Sequence, residues 1–386
     1  MASGTALLPL ALLLAAAAPV ADLPMLEDHG HVFVAGTVGS ASGLWLALDT
    51  GAAASVLDAD LARKLGIEAR ESGQAGGAGG VVETVVARGV AVGLPGVPLG
   101  PLDLDTLPLG PISSRQGAPI ALVLGYELFS RFVVELDYEK GRLRLWDPGS
   151  YLSPAGATSL PIEIVHNHPY VEATARARGG ATIQGRFVVD LGSAQSVILT
   201  PRTVERHRLL ASTPTLQGRA GGVGGTFAIH TGRLASLQVG PFTVRDVVAV
   251  LPLGGVVADA EGAVGNLGGG FLRRFRVVFD YSRRRMLLTP NDRFGEGDEA
   301  DMSGLGLMAQ GDGLREVSIE RVREGSPGDE AGLRAGDRIL AVDGTALRDF
   351  ALWGLRQRFR RAGEHRLTVL RGEERLELLL RTRRQI

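Results

Sequence analysis

Leu46-Ala47-Leu48-Asp49-Thr50-Gly51-Ala52 and Phe187-Val188-Val189-Asp190-Leu191-Gly192-Ser193 share one pattern: an apolar run, a carboxylate at its end, and a glycine two residues on. The apolar run suits a buried strand, hydrophobic on both faces. A carboxylate at the end of such a strand is costly to hold unless it is paired or hydrogen-bonded. The glycine lets the backbone turn tightly and come close to the carboxylate. Two such sites in one chain suggest one active site built from two halves.

The rest of the sequence repeats along with them. Gly73-Gln74-Ala75-Gly76-Gly77-Ala78-Gly79-Gly80 returns as Gly218-Arg219-Ala220-Gly221-Gly222-Val223-Gly224-Gly225. Leu124-Gly125, ahead of Leu128 to Phe132, returns as Leu267-Gly268, ahead of Phe271 to Phe275, and Leu136-Asp137-Tyr138 returns as Phe279-Asp280-Tyr281. The offsets drift only between 141 and 145 residues, which means one duplicated unit with small loop insertions. Each unit reads as mostly β: strands at His31 to Val38 and Tyr170 to Ala177, then the apolar run. A short helix follows, then a glycine-rich tip, further strands and a closing hairpin. The Asp-Tyr pairs read as hairpin residues. The arginines from Arg273 to Arg276 and Arg283 to Arg285 read as a solvated face.

The bulk numbers exclude several classes. With 22% charged residues and a net charge of −1, no basic field points to nucleic acid. The 386 residues hold no cysteine, so disulfides, thiolate catalysis and zinc–cysteine sites are excluded. His29-x-His31 and His166-x-His168 stand at similar places in the two units, without a ligand set around them, and read as strand-edge residues rather than a metal site. No metal and no cofactor is expected. Residues 1–21, apolar and ending in small residues, read as a signal peptide. The chain is therefore expected to be exported, periplasmic or secreted, with an uncleaved membrane anchor as the alternative. The expected organisation is lobe 1 at 28–150, lobe 2 at 157–290, a linker at 291–300 and a further domain at 301–386.

The ordered set of Asp-Thr-Gly-Ala with Ser55-Val56-Leu57, the glycine-rich stretch and Leu124-Gly125 resembles retropepsin-like aspartic proteases, and it occurs twice. The resemblance implies an all-β fold, two retropepsin-like lobes in one chain, with Asp49 and Asp190 meeting at the lobe interface. It makes Asp49 and Asp190 the catalytic pair and Thr50, Gly51, Leu191 and Gly192 their loops. Gly76, Gly77, Gly79 and Gly80, with Gly221, Gly222, Gly224 and Gly225, become substrate-binding flaps. It further implies a polypeptide substrate and peptide-bond hydrolysis by a water activated between two carboxyls that share a proton. One departure stands out: the family usually carries Thr or Ser where this chain has Leu191. That opens a second reading, an inactive protease fold that only binds peptides.

Residues 301–386 resemble a small α+β PDZ domain. The resemblance rests on Gly304-Leu305-Gly306-Leu307, Ser326-Pro327, Ala331-Gly332-Leu333-Arg334-Ala335-Gly336-Asp337-Arg338-Ile339-Leu340 and Val342-Asp343-Gly344. It implies that Gly304, Leu305, Gly306 and Leu307 form a carboxylate-binding loop for peptide C-termini, flanked by a helix at Leu352 to Phe359.

Overall fold

The computed structural model describes residues 18–28, 30–254, 262–348 and 351–386. Most of the predicted leader and His29 therefore lie outside the described residues.

In each lobe the carboxyl-bearing strand is central. Ala41–Leu48 runs parallel to Ile120–Leu124, and Thr182–Asp190 runs parallel to Gly265–Gly268. A short strand pairs antiparallel with the same neighbour in each lobe, Val56–Asp58 in the first and Val197–Leu199 in the second. Strands covered on both faces must be apolar throughout, which is why these runs lack alternation. After the short strand each chain turns into a helix with a side-chain cap. Asp58 accepts from the Leu61 N–H at 3.1 Å, and Thr200 accepts from the Thr203 N–H at 3.2 Å.

The lobes join in a way the repeat does not reveal. Their closing strands pair with each other: Val133–Asp137 lies antiparallel to Phe275–Asp280. Six strands form this shared base, from Thr158–Pro161 through Arg285–Pro290 and across to Arg142–Trp146 and Ala21–Asp28. Ala21–Asp28 thus belongs to lobe 1, which begins ahead of the expected residue 28 and uses the last residue assigned to the leader.

Residues 291–300, expected as a linker, are fastened down. The buried guanidinium of Arg233 donates to the Asp298 carbonyl at 2.7 Å and the Glu299 carboxylate at 2.8 Å. It also reaches the carbonyl of the terminal Ile386 at 2.9 Å. Arg274, expected on a solvated face, is also buried, with its guanidinium on the Gly270 carbonyl and 3.7 Å from Asp298. The surrounding chain needs that charge inside, so the solvated-face reading fails at this position.

In the C-terminal domain the strand Leu305–Gln310 forms one edge of the sheet, and the helix is Ala351–Phe359. A lobe 1 helix, Gly110–Gln116, lies against that edge strand. Its last carbonyls are held by the other helix: Trp353 Nε1 donates to Gln116 O at 2.6 Å, and Arg356 donates to Arg115 O. The Trp353 ring also stacks on Phe33 of lobe 1, with centroids 5.4 Å apart.

Candidate active site

Asp49 and Asp190 end their strands, one in each lobe, and their carboxyls come close enough to interact directly. The Asp49 N–H donates to the Leu124 carbonyl at 3.0 Å, fixing the loop against the neighbouring strand. Two glycine amides then point at one oxygen: Gly51 N–H at 2.7 Å and Gly192 N–H at 3.1 Å donate to Asp49 Oδ1. The other carboxylate takes a side-chain donor, with Asn266 Nδ2 donating to Asp190 Oδ2 at 2.8 Å. The glycines are required by packing. A Cβ at Gly51 would stand 2.6 Å from Asp190 Oδ1, and one at Gly192 would overlap the Asp49 carboxyl.

Both carboxyls are pushed above the ordinary carboxylate range. Burial is the main cause at each, and at Asp49 the charge of Asp190 adds to it. Asn266 and the amide donors pull the other way by favouring the anion. The pair titrates as a unit, holding one proton between two oxygens. Asn266 weights its negative charge towards Asp190.

The loops are tied across the lobe interface by Thr50. Its buried hydroxyl donates to the Val189 carbonyl at 2.7 Å and accepts from the Leu191 N–H at 3.0 Å. Leu191 returns no such bond; its side chain is fully buried in the main core. The Leu191 carbonyl instead hydrogen-bonds the His31 imidazole, a side chain from lobe 1. Burial, with the cations of Arg356 and Arg360, lowers the His31 pKa to about 4, so the ring is neutral at ordinary pH.

The two glycine-rich stretches form hairpins rather than loose loops. Ala69–Gly77 pairs with Gly80–Leu94, and Thr215–Gly222 pairs with Gly225–Val239. Their tips meet, with Gly79 N–H donating to the Val223 carbonyl at 2.8 Å. A Cβ at Gly77 would overlap Val223, and one at Gly224 would stand 2.5 Å from Gly80 N, so the crossing requires glycine. Beneath the tips Ala75, Val82 and Val223 form one apolar cluster with Ala47, Val56, Ile112 and Val123.

The carboxylate loop of the C-terminal domain departs from its expected form. The N–H groups of Ser303 and Gly304 donate to Asp301 Oδ1 at 2.9 and 2.8 Å, and Leu305 N–H donates to Ser303 Oγ at 3.1 Å. The amides of Gly304 and Leu305 are therefore engaged within the chain.

Four contributors escape the sequence pattern. Asn266 stands where lobe 1 has Val123, so comparing the repeats gives no signal for it. His31 does carry one, because the strand register gives it the same place as His168 in the second unit. Tyr281 was read as a hairpin residue. Its hydroxyl is buried with no hydrogen-bond partner among the described residues, and the charge of Asp49 helps push its pKa up after burial. Trp353 lies on the domain-flanking helix, and nothing in its sequence context points to lobe 1.

An aspartyl protease family model matches residues 34–128 and 173–271, so each unit is matched separately. A PDZ domain model matches residues 318–371. Among solved structures, the crystal structure of an aspartic proteinase from Irpex lacteus is similar, at 16% sequence identity and a TM-score of 0.43. The match covers 72% of this chain and 98% of that one. No curated protein matches.

Proposed function

Because the chain belongs to the aspartyl protease family and carries a PDZ domain, we propose that it is an aspartic endopeptidase whose one active site is the Asp49–Asp190 pair. The observation that carries this reading is the contact of two partly buried carboxyls, one from each lobe, beneath crossed flaps. One ionised and one protonated carboxyl are what peptide hydrolysis by water needs. The anion, weighted to Asp190, takes a proton from the attacking water, and the protonated partner donates to the substrate carbonyl oxygen. Electrons flow from water oxygen to carbonyl carbon; the tetrahedral intermediate then collapses as the C–N bond breaks, the proton taken from water passing from Asp190 to the leaving nitrogen and a diol proton returning to Asp49. The flaps exclude bulk water and offer backbone groups to an extended chain. The apolar cluster under the tips favours a hydrophobic side chain on the lobe 1 side of the scissile bond.

The protein acts after export, in the periplasm or outside the cell. Removal of the leader after Ala18 leaves strand Ala21–Asp28 whole, whereas removal after Ala21 would take its first residue. The PDZ domain docks C-terminal segments of the polypeptide substrate or of a partner.

The test is cleavage of a peptide mixture from acidic to neutral pH, with Asp49→Asn and Asp190→Asn as controls. Cleavage lost in both variants supports the pair; cleavage that survives either substitution rejects it. A wild-type protein that binds peptides and never cuts them supports the inactive protease fold, with Leu191 as the first place to look.

A further inference from the structure

We propose that the PDZ domain and the second flap share one anion site, which selects peptides with acidic C-terminal segments. The inference rests on the docking role proposed above and names the chemistry of what docks. A cavity of about 450 Å³ lies away from the carboxyl pair. Its walls come from three parts of the chain: Leu305 to Leu307 and the end of the groove helix, the lobe 1 helix, and the outer strand of the second flap.

Five guanidiniums face this space: Arg115 from lobe 1, Arg219 from the flap, and Arg321, Arg356 and Arg360 from the PDZ domain. The carboxylates facing it are Asp301 and Glu320, and Asp301 is already held by Ser303 and Gly304. Among the described residues, neither Arg321 nor Arg360 makes a side-chain hydrogen bond or ion pair. Burial lowers the pKa of Arg360 and Arg356 against the opposing charges of Asp28 and Asp301, with Arg356 3.7 Å from Asp28, so both sit in poorly solvated surroundings. Cations held this way, close together, gain most from an incoming carboxylate.

The loop chemistry sharpens the argument. A PDZ groove ordinarily receives a chain terminus on free backbone amides, but those of Gly304 and Leu305 are engaged here. With half of that loop's amides taken, recognition of a negative group leans on the guanidiniums. The lobe 1 helix covers the edge strand alongside, which leaves the arginine-lined end of the groove as the open part. The flap is part of the same wall. A Cβ on Gly221 would come within 2.8 Å of Arg115 Cζ, and one on Gly218 would stand 4.0 Å from Arg321 Nη2. Several positive groups and one short open end suit a terminal carboxylate with acidic side chains beside it.

Binding is measured by fluorescence anisotropy on the full chain carrying Asp49→Asn, so that no peptide is cut. The probes are a fluorescein-labelled peptide ending in Asp-Glu-Val-Leu with a free carboxylate, the same peptide with Asn-Gln in place of Asp-Glu, and an amidated form of the first. The acidic peptide is expected to bind about tenfold tighter than the neutral one, with the difference shrinking as salt rises. Arg321→Glu and the exposed Arg219→Glu are each expected to remove that preference, with circular dichroism confirming the fold. Equal binding of acidic and neutral peptides, or no binding of either, overturns the proposal. Loss with Arg321→Glu but not with Arg219→Glu overturns the part assigned to the flap. Displacement of the peptide by inorganic phosphate at matched charge overturns the choice of a peptide as ligand. All of these are read without catalysis, so a protein that never cleaves peptides leaves the test standing.

Discussion

The two lobes supply the same carboxylate from the same strand, yet they hold it differently. Lobe 1 contributes the hydroxyl that crosses the interface, Thr50, with bonds to Val189 O and Leu191 N. It also contributes His31 to the Leu191 carbonyl, and Ser55, whose hydroxyl donates to Glu127 at 2.6 Å and accepts from Gly125 N–H at 2.9 Å. Lobe 2 has Leu191 for Thr50 and Gly270 for Glu127, and its Ser196 Oγ is buried with no partner among the described residues. Its own addition is Asn266, bound to Asp190. Lobe 1 therefore supplies the scaffold for both loops, and lobe 2 sets the charge distribution of the pair. The difference teaches that one side of a pseudo-symmetric site can carry its mechanical restraint while the other tunes its acidity.

The largest effect should come from the carboxyls themselves. Asp49→Asn or Asp190→Asn should each lower kcat/KM by about 10³-fold or more, because either change removes proton transfer from a site that needs both groups. A much smaller loss from one of them would break the claim that the lobes share the chemistry equally. Next comes Thr50→Val, which leaves a buried carbonyl and a buried N–H without their partner. It should cost about 2–6 kcal/mol in denaturant unfolding, at about 1–3 kcal/mol for each unsatisfied group. The mirror change Leu191→Thr should cost or gain about 1 kcal/mol at most, since it exchanges packing for a bond to a carbonyl. Equal costs at the two positions would abolish the mechanical difference between the lobes.

The acidity of the pair gives a subtler test. The folded protein raises both carboxyl pKa values, so between the unfolded value of about 3.9 and the raised value the native state keeps a proton that the unfolded state releases. Wild-type stability therefore falls as pH rises through that window. Asp49→Asn loses the Asp49 share of that slope, and its Tm should exceed that of the wild type by a few degrees at neutral pH. The gap should close in acid; a gap that grows in acid would reverse the sign assigned here. The smallest effect is expected from Asn266→Ala, which should shift the acid limb of the cleavage profile upward by less than about one pH unit, because Asn266 stabilises the Asp190 anion. An unchanged profile would remove lobe 2's role in setting the charge.

The duplicated pattern made much of this legible. Leu46 to Ala52 and Phe187 to Ser193 pointed to strands and carboxyls that the fold does place together, and Gly76 to Gly80 and Gly221 to Gly225 pointed to paired tips. These features depend on local rules, namely burial on both faces and glycine where backbones touch. The shared base sheet was not legible, because the pairing of Val133–Asp137 with Phe275–Asp280 reflects how two copies meet and leaves no mark in either copy. Arg233 and Arg274 were hidden for a related reason. An arginine in sequence looks solvated until tertiary structure supplies the carbonyls and carboxylates that let it be buried. Asn266 escaped because only one copy has it, and Trp353 because its partner Phe33 lies in another domain.

The base sheet has a consequence for how such a chain behaves and changes. Halves joined by continuous strand pairing cannot dissociate, so activity per molecule should not decline on dilution, as it must when a site assembles from two free subunits. A dimer of identical chains also receives every substitution twice, on both sides of its axis. Here each half is encoded separately, and a change such as the leucine at 191 meets only one partner, Thr50, which still holds the hydroxyl. The covalent and sheet linkage thus permits left–right specialisation that a symmetric assembly forbids.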